Sequence, residues 1–275
     1  MTVSASTTVA AVVGSPIAHS LSPLIHNAWI QAAGLDAIYV AIEPGDFAAF
    51  AKALRSGTIR GLNVTAPFKT EALALADLAS ERARRVGAAN LLIFEADSVI
   101  LADNTDGEGL LAAFAEQMPG FDVRAGPAVI LGAGGAARGA VSAFVDAGAP
   151  AVSVVNRSAD KARTLATEFG SAVTAYGFDE IGKALAVANA VINATPAAPS
   201  IPLEAAPRSA AVMDMVYRPL STPLLARAEA LGMPTVDGLA MLIGQARPSF
   251  MALFGVPPPD VDVRVLALRF LNEAG

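Results

Sequence analysis

The sequence predicts an α/β protein of two domains with largely parallel sheets. Short runs of β-branched and other apolar residues alternate with alanine- and leucine-rich helical patterns over almost the whole chain, as in folds whose strands are joined by helices. The 275 residues are long for one domain and comfortable for two, and 54% hydrophobic against 16% charged residues supply ample core. A glycine-rich turn at Gly132 stands between a strand pattern and a helix pattern.

The first series of elements occupies the N-terminal part of the chain. Ser22 is typical of a helix cap, Pro23 of a first turn and Gly34 of a helix end. A second helical pattern covers residues 47–55, and further helical patterns run up to Val86. The predicted strands are residues 9–13, 38–42, 61–64, 91–94 and 99–102, of which the last two form a hairpin.

The second series of elements begins near residue 124. Its predicted strands are residues 129–131, 152–155, 173–175, 191–193, 212–214 and 235–236. The predicted helices are residues 134–147, 159–169, 239–254 and 263–271. We expect the domain boundary around residues 106–124 and a return of the closing helices to the first domain. The predicted domains are therefore residues 1–105 with 239–275, and residues 106–238.

Charge and composition argue against nucleic acid and metal as partners. The formal net charge is −6, and no basic tract exceeds Arg82-Ala83-Arg84-Arg85, whereas phosphate backbones need a dense Lys and Arg surface. The chain has no cysteine, which excludes disulfides, thiol catalysis and thiolate metal sites. The only histidines, His19 and His26, have Asp36 as their closest carboxylate and make a poor metal site.

The longest apolar stretch, residues 128–155, is not expected to cross a membrane. Arg138, Asp146 and a glycine cluster interrupt it, and its period changes partway, so it is read as strand, helix and strand. The N-terminus lacks the basic region of a secretory signal. The sequence therefore predicts a cytoplasmic protein without membrane contact.

The turn at Gly132 has the pattern of a dinucleotide-binding site. Gly132 allows a tight turn, Gly134 allows the backbone to approach a pyrophosphate, and Ala137 stands at the third, close-packed position. The pyrophosphate would lie on the N–H groups and positive dipole end of the following helix. A strand before and a helix after make the context right for a Rossmann-type, doubly wound domain. The predicted contacts are Gly132, Ala133, Gly134, Gly135, Ala136 and Ala137.

The end of the next strand favours NADP over NAD. An NAD site needs an acid there for the ribose hydroxyl, but this chain has Asn156, Arg157 and Ser158, and no carboxylate before Asp160. Arg157 can pair with a 2′-phosphate and stack on adenine, and Lys161 supplies a second cation. A surface Arg and Lys at a helix N-terminus would oppose the helix dipole, so a bound anion explains them better.

Thr195, which follows another predicted strand, can line the binding site of the nicotinamide ribose. It follows Asn193 at the carboxyl edge, where doubly wound sheets bind ligands. An ordinary turn explains Thr195 equally well, and both alternatives stay open.

Lys69 stands near two other polar residues at the end of a short strand. Asn63, Thr65 and Lys69 place hydrogen-bonding groups where a buried strand end needs apolar residues. The chain has four lysines and fifteen arginines, so a lysine here suggests that the amine itself matters. Taken alone, Lys69 is read as a solvated loop lysine, since most lysines lie at the surface.

Further polar residues lie at junctions of strands, loops and helices in the first domain. They include Ser20, Ser22, Asn90 and Asp106, whose hydroxyl, amide and carboxylate groups can hold a polyhydroxylated ligand. Ser20 and Ser22 near a helix N-terminus can hold a carboxylate. Taken singly, Ser22 is also explained as a helix cap, and Asn90 and Asp106 as turn or cap residues.

Together these segments resemble the shikimate/quinate dehydrogenase family, and within it the NADP-dependent shikimate dehydrogenases. The resemblance covers almost the whole chain and is specific in the order and combination of its motifs. Departures are modest: Ser15, Leu91, Arg218 and Arg247-Pro248 stand where the family usually has other residues, and Arg218 lies at the rim of the implied pocket. The matching segments are residues 14–23, 63–69, 104–107, 132–136, 156–158, 193–196, 214–217 and 237–242, with Gln245.

The resemblance implies a substrate domain followed by an NADP-binding domain, and reversible reduction of 3-dehydroshikimate to shikimate in aromatic amino-acid biosynthesis. It implies that Lys69 and Asp106 form the catalytic pair, and that Met215 and Gly238 join the cofactor contacts with Asn156, Arg157, Ser158, Lys161 and Thr195. The implied substrate contacts are Ser20, Ser22, Asn63, Thr65, Lys69, Asn90, Asp106, Tyr217 and Gln245.

Two other functions remain open. One is a relative that acts on quinate or aminoshikimate, and the other is a non-catalytic NADP-binding protein. The presence of both Lys69 and Asp106 argues against the second, because a binding protein has no need of the pair. Either a monomer or a homodimer is expected.

Overall fold

The computed structural model describes residues 3–57 and 59–273. The chain divides into two compact units. One unit holds the described residues up to Thr105 and from Gln245 onward, and the other holds Asp106–Gly244. Each unit has its own six-stranded sheet, as the two-domain α/β prediction requires.

The sheet of the first unit is mixed. In the order β2-β1-β3-β5-β6-β4, β1 pairs in parallel with β2 and β3, whereas β5 is antiparallel to both β3 and β6. The hairpin prediction is confirmed, and its antiparallel pairing with β3 makes this sheet mixed. The remaining three of the five pairings among the described strands, β1 with β2, β1 with β3 and β4 with β6, are parallel, as predicted. The strands are β1 Thr8–Val13, β2 Ala37–Ile42, β3 Gly61–Val64, β4 Leu78–Ala79, β5 Leu91–Phe94 and β6 Ile100–Asp103.

Short helices connect these strands. They are α1 Ser22–Ala32, α2 Phe47–Ala53, α3 Lys69–Leu75 and α4 Glu81–Val86. Helices α2 and α3 bury Phe47, Ala51 and Ala72 in one core with the sheet. Because the short β3 is buried along its whole length, its residues do not alternate between apolar and polar, and Asn63 is its one polar residue.

The start of α1 differs from the prediction by one residue. Leu21, which is buried, occupies the cap position in a helical conformation and makes no side-chain cap. Ser22 is the first helical residue, and its N–H donates to the Ser20 hydroxyl at 3.3 Å. Ser22 is therefore not the cap that the sequence predicts.

The second unit has the strand order of a doubly wound dinucleotide-binding sheet. The order is β12-β11-β10-β7-β8-β9, and every pairing is parallel. The strands are β7 Ala128–Leu131, β8 Val152–Val155, β9 Val173–Tyr176, β10 Ala190–Asn193, β11 Ala211–Asp214 and β12 Thr235–Val236. The helices are α5 Asp106–Gln117, α6 Gly135–Asp146, α7 Ala159–Phe169, α8 Ile181–Leu185 and α9 Pro223–Ala230.

Helices cover this sheet on both faces. Ile130 of β7 lies in one core with residues of α5, α6 and α7, and its neighbour Leu131 lies in another with residues of α8 and α9. Successive strand residues point to opposite faces, so β7 is apolar throughout. The predicted Rossmann-type fold is confirmed.

The sequence patterns do not predict α5, α8, α9 or β4. α5 begins Asp106-Gly107-Glu108-Gly109, and two early glycines are typical of a turn. α8 has five residues and β4 two, too few for a periodic pattern. α9 does carry a signal, since Thr222 accepts from the Leu225 N–H as a cap and Pro223 stands in the first turn.

Two helices close the chain, α10 Gly238–Phe254 and α11 Val263–Glu273. α10 contains Pro248, and its residues from Gln245 onward belong to the first unit. Across the described ranges, no helix has both the length and the apolar character needed to span a bilayer.

Candidate active site

The turn after β7 has the form that a dinucleotide requires. Gly132 has a φ of +113°, and a Cβ there would lie 2.9 Å from Cγ2 of Thr195, so only glycine fits. Gly134 caps α6 without a side-chain hydrogen bond, and open space surrounds the Cβ positions of Gly134 and Gly135. The first N–H groups of α6 therefore face a cradle that a pyrophosphate can fill. Ala137 is fully buried, as a close-packed third position requires.

The carboxyl ends of β10 and β11 lie beside this turn. Strand order reverses between β7 and β10, which is where doubly wound sheets bind ligands. The Asn193 amide donates to Asp214 at 2.8 Å, and its oxygen accepts from the Thr195 hydroxyl at 2.6 Å. Met215 approaches Gly238 so closely that a Cβ on Gly238 would lie 2.5 Å from the Met215 carbonyl oxygen. The structure thus brings four of the predicted cofactor residues together in two pairs: Gly132 with Thr195, and Met215 with Gly238.

Positive charge is exposed at the start of α7. Arg157 and Lys161 are both exposed, and neither forms an ion pair with any residue in the described ranges. Asp160, the nearest carboxylate in the sequence, pairs instead with Arg163. The Asn156 amide donates to the Ser158 carbonyl at 3.0 Å and shapes the loop. Two unpaired cations beside a helix N-terminus fit a 2′-phosphate.

A polar network of buried residues and the half-buried Gln245 lies in the first unit. Asn63, at the end of β3, donates through its amide to the Asn90 carbonyl at 3.3 Å and to the Ser249 hydroxyl at 2.9 Å. The Asn90 amide donates to the Thr105 hydroxyl at 2.9 Å and to Oε1 of Gln245 at 3.4 Å. Three predicted substrate contacts, Asn63, Asn90 and Gln245, are therefore brought together.

Three members of this network are not predicted from the sequence. They are Tyr39, whose hydroxyl donates to Oδ1 of Asn63 at 2.7 Å, together with Thr105 and Ser249. Thr105 stands next to Asp106 in a polar run, and Ser249 lies in an apolar helical stretch. These positions indicate a role in a polar network only weakly. Tyr39 gives no signal, because tyrosine is ordinary in a strand.

The loop before Thr105 is held by charge and amide groups. Asp103 accepts hydrogen bonds from Arg82 and Ser80, and Asn104 donates to the Ala88 carbonyl at 2.9 Å. Burial would raise the pKa of Asp103, but the hydrogen bonds from Arg82 and Ser80 outweigh it and the pKa is lowered. The carboxylate therefore stays charged and keeps this loop in place beside Asn90.

The remaining predicted residues lie in both units. Lys69 is half-buried and begins α3, so it is not a loop lysine, and its carbonyl accepts from the Ala89 N–H at 2.8 Å, next to Asn90. Thr65 follows β3 and is half-buried. Asp106, the buried first residue of α5, and Tyr217, after β11, belong to the second unit. The pairing of Lys69 with Asp106 stays a prediction.

Two family models match this chain. One describes the shikimate dehydrogenase substrate binding domain and matches residues 12–92; the other describes shikimate / quinate 5-dehydrogenase and matches residues 114–216. An NADP-dependent shikimate dehydrogenase of Caulobacter vibrioides is 57% identical over 274 residues, 96% of each chain. Another from Dinoroseobacter shibae is 43% identical over 94% of this chain and 97% of its own.

Solved structures match over nearly the full length. Shikimate 5-dehydrogenase from Thermus thermophilus, in complex with NADP(H) and shikimate, is 35% identical with a TM-score of 0.85, covering 95% of this chain and 99% of that one. Quinate dehydrogenase from Corynebacterium glutamicum, in complex with NAD, is 29% identical with a TM-score of 0.87, covering 97% and 99%. With both units matched by sequence and by fold, the chain belongs to the shikimate dehydrogenase family.

Proposed function

We propose that this chain catalyses the reversible NADP-dependent reduction of 3-dehydroshikimate to shikimate, a step of aromatic amino-acid biosynthesis. The observation that carries the proposal is the network of buried Asn63, Asn90 and Thr105 with half-buried Gln245, whose amides and hydroxyl suit a small polyhydroxylated ligand. It is supported by the 57% identity to the Caulobacter vibrioides enzyme. The Thermus thermophilus relative binds both NADP(H) and shikimate.

The two units take different ligands in this proposal. The unit that contains β1–β6, predicted as residues 1–105 with 239–275, binds the substrate, and the other, predicted as residues 106–238, binds NADP. The proposed substrate contacts are Ser20, Ser22, Asn63, Thr65, Lys69, Asn90, Asp106, Tyr217 and Gln245. The proposed cofactor contacts are residues 132–137, Asn156, Arg157, Ser158, Lys161, Thr195, Met215 and Gly238.

Lys69 moves the proton of the reaction. NADPH, when bound, supplies the hydride that reduces the substrate carbonyl carbon. The ammonium form of Lys69 donates a proton to the carbonyl oxygen, and the neutral amine that results takes a proton back in the oxidation direction. The Asp106 carboxylate orients the amine and a ring hydroxyl. Holding the reacting groups in place supplies much of the rate.

One steady-state experiment tests the proposed function. Shikimate and quinate are each offered with NADP and with NAD, and formation of the reduced cofactor is followed by its absorbance. We expect the highest kcat/KM for shikimate with NADP. Absence of turnover with that pair contradicts the proposal, and NADP binding by calorimetry without turnover of either shikimate or quinate would indicate a non-catalytic NADP-binding protein.

Quinate is the second candidate substrate. The second family model is described as covering quinate as well as shikimate dehydrogenases, and the Corynebacterium glutamicum relative is a quinate dehydrogenase in complex with NAD. Arg157 and Lys161, without an acid at the end of β8, favour NADP and hence the shikimate enzyme. A higher kcat/KM for quinate, or for an aminoshikimate, would reassign the substrate.

Removing the Arg157 side chain should weaken the binding of NADP but not that of NAD. Arg157→Ala should raise the KM for NADP about tenfold to a hundredfold and leave that for NAD nearly unchanged, because a charged hydrogen bond to phosphate is worth about 1.5–3 kcal/mol. Arg163→Ala is the matched control, since Arg163 is an exposed arginine of α7, the helix that follows Arg157, and it pairs with Asp160. Equal losses with both cofactors would refute the assignment of Arg157 to the 2′-phosphate.

Location and assembly are also part of the proposal. We expect a cytoplasmic enzyme, monomeric or homodimeric, without a nucleic-acid partner. Light scattering of the purified chain distinguishes the two assembly states.

A further inference from the structure

The neighbours of Asn63 determine which way its side-chain amide faces. The Asn90 carbonyl can only accept, so the group that meets it at 3.3 Å is Nδ2. The second Nδ2 hydrogen goes to the Ser249 hydroxyl at 2.9 Å. Oδ1 therefore faces Tyr39, whose hydroxyl donates to it at 2.7 Å.

Tyr39 is itself held from several sides. The Asn27 side chain donates to the Tyr39 carbonyl at 2.7 Å and accepts from its N–H at 3.0 Å. The ring of His26 stacks on the Tyr39 ring at a centroid distance of 4.1 Å. Burial raises the pKa of Tyr39, so its hydroxyl keeps the proton that it donates. The donor to Asn63 is thus in a defined position and protonation state.

Ser249 continues the series of hydrogen bonds. Having accepted from Asn63, its hydroxyl donates to the Gln245 carbonyl at 3.1 Å, one turn earlier in α10. The Thr105 hydroxyl lies 3.3 Å from Ser249 and donates to the same carbonyl at 3.1 Å. Donors run in one direction, from Tyr39 through Asn63 and Ser249 to α10.

This arrangement leaves Asn63 little hydrogen-bonding capacity. An asparagine amide has two donor hydrogens and two acceptor lone pairs on its oxygen. Both hydrogens of Asn63 are used, and Tyr39 takes one lone pair. One acceptor position on Oδ1 remains, so Asn63 can receive a hydrogen bond from a ligand hydroxyl but cannot donate one.

We propose that Tyr39 and Ser249 are positioning residues that hold Asn63 as a single acceptor for a substrate hydroxyl. The inference rests on the proposed function, in which Asn63 contacts the substrate. Neither Tyr39 nor Ser249 need touch the ligand. Without the hydroxyl of Tyr39 or of Ser249, the Asn63 amide can rotate, or its oxygen can accept a hydrogen bond from another group. Substrate binding then weakens.

Single variants give the first test. Tyr39→Phe and Ser249→Ala each remove one hydroxyl, and each should raise the KM for shikimate about threefold to tenfold, the range of one buried neutral hydrogen bond. kcat and the KM for NADP should change less than about twofold, because uniform binding alone is lost. Ser249→Thr keeps the hydroxyl and should restore most of the affinity. Ser142→Ala, which removes a buried hydroxyl in α6, is the control and should leave the KM for shikimate unchanged.

A double-mutant cycle separates positioning from general destabilisation. In an Asn63→Ala background, Tyr39→Phe and Ser249→Ala should have no further effect on the KM for shikimate, because both act through the Asn63 amide. The same loss with and without Asn63, or an unchanged KM in both single variants, would overturn the inference. Absence of shikimate turnover by the unaltered chain is the separate result that defeats the proposed function.

Discussion

Replacing Lys69 by alanine should lower kcat for shikimate oxidation by a factor of about 10² to 10⁴, the usual contribution of one general acid or base. NADP binding should change little. Lys69 begins α3 in the first unit, whereas the glycine turn and Arg157 belong to the second. The measurements are steady-state absorbance of the reduced cofactor for kcat and calorimetry for NADP affinity.

Arginine at position 69 should be nearly as damaging as alanine. A guanidinium keeps the positive charge but does not give up a proton near neutral pH, so it cannot act as acid or base. Lys52→Ala is the matched control, because Lys52 is an exposed lysine of α2 in the same unit. Normal turnover by Lys69→Ala would remove Lys69 from the mechanism, and an active Lys69→Arg would mean that the site uses its charge alone.

Replacing His26 by phenylalanine should flatten the acid side of the stability profile. Burial lowers the pKa of His26 to about 3 from an ordinary value of 6.5, and neither ring nitrogen has a hydrogen-bond partner in the described ranges. The folded state therefore keeps the ring neutral while the unfolded chain protonates it. The resulting stability is complete above pH 6.5 and is lost as the pH falls toward the folded pKa of about 3.

The expected size follows from the pKa shift. Each pH unit below the pKa of the unfolded state lowers the free energy of unfolding by about 1.4 kcal/mol, which amounts to about 3 kcal/mol by roughly pH 4. His26→Phe keeps an aromatic ring against Tyr39 and removes this dependence. Urea unfolding midpoints at several pH values measure how steeply stability changes with pH. A loss of packing caused by the substitution lowers stability equally at every pH and does not alter this slope. His19→Gln is the control, since His19 is the other histidine and is exposed; equal slopes for His26→Phe and the unaltered chain would refute the prediction.

The second unit could be predicted from sequence far better than the network in the first. Strand residues 152–155 and helix residues 159–169 agree at both ends with the structure. Parallel strands buried on both faces read as continuous apolar runs, and a helix that follows shows a period of its own. The glycine turn could also be predicted, because its chemistry lies in six consecutive residues, 132–137.

Helices and strands without a periodic pattern of apolar residues could not be predicted from the sequence. α5 begins with two glycines among its first four residues, which local propensity assigns to a turn, and packing of Phe114 against Phe144 overrides that preference. The mixed sheet of the first unit was also not predictable, because periodicity marks strands but not their partners. Only the pairing of β5 with β3 shows that this hairpin adds antiparallel strands to an otherwise parallel sheet.

The sequence by itself determined the fold class and the cofactor. These depend on local features: apolar runs, a glycine turn, and Arg157 where an NAD site would need an acid. Tertiary structure alone decided the orientation of the Asn63 amide. Its partners Tyr39 and Ser249 lie 24 and 186 residues away in the chain, and hydrogen-bond direction arises only when folding brings a donor and an acceptor within about 3 Å.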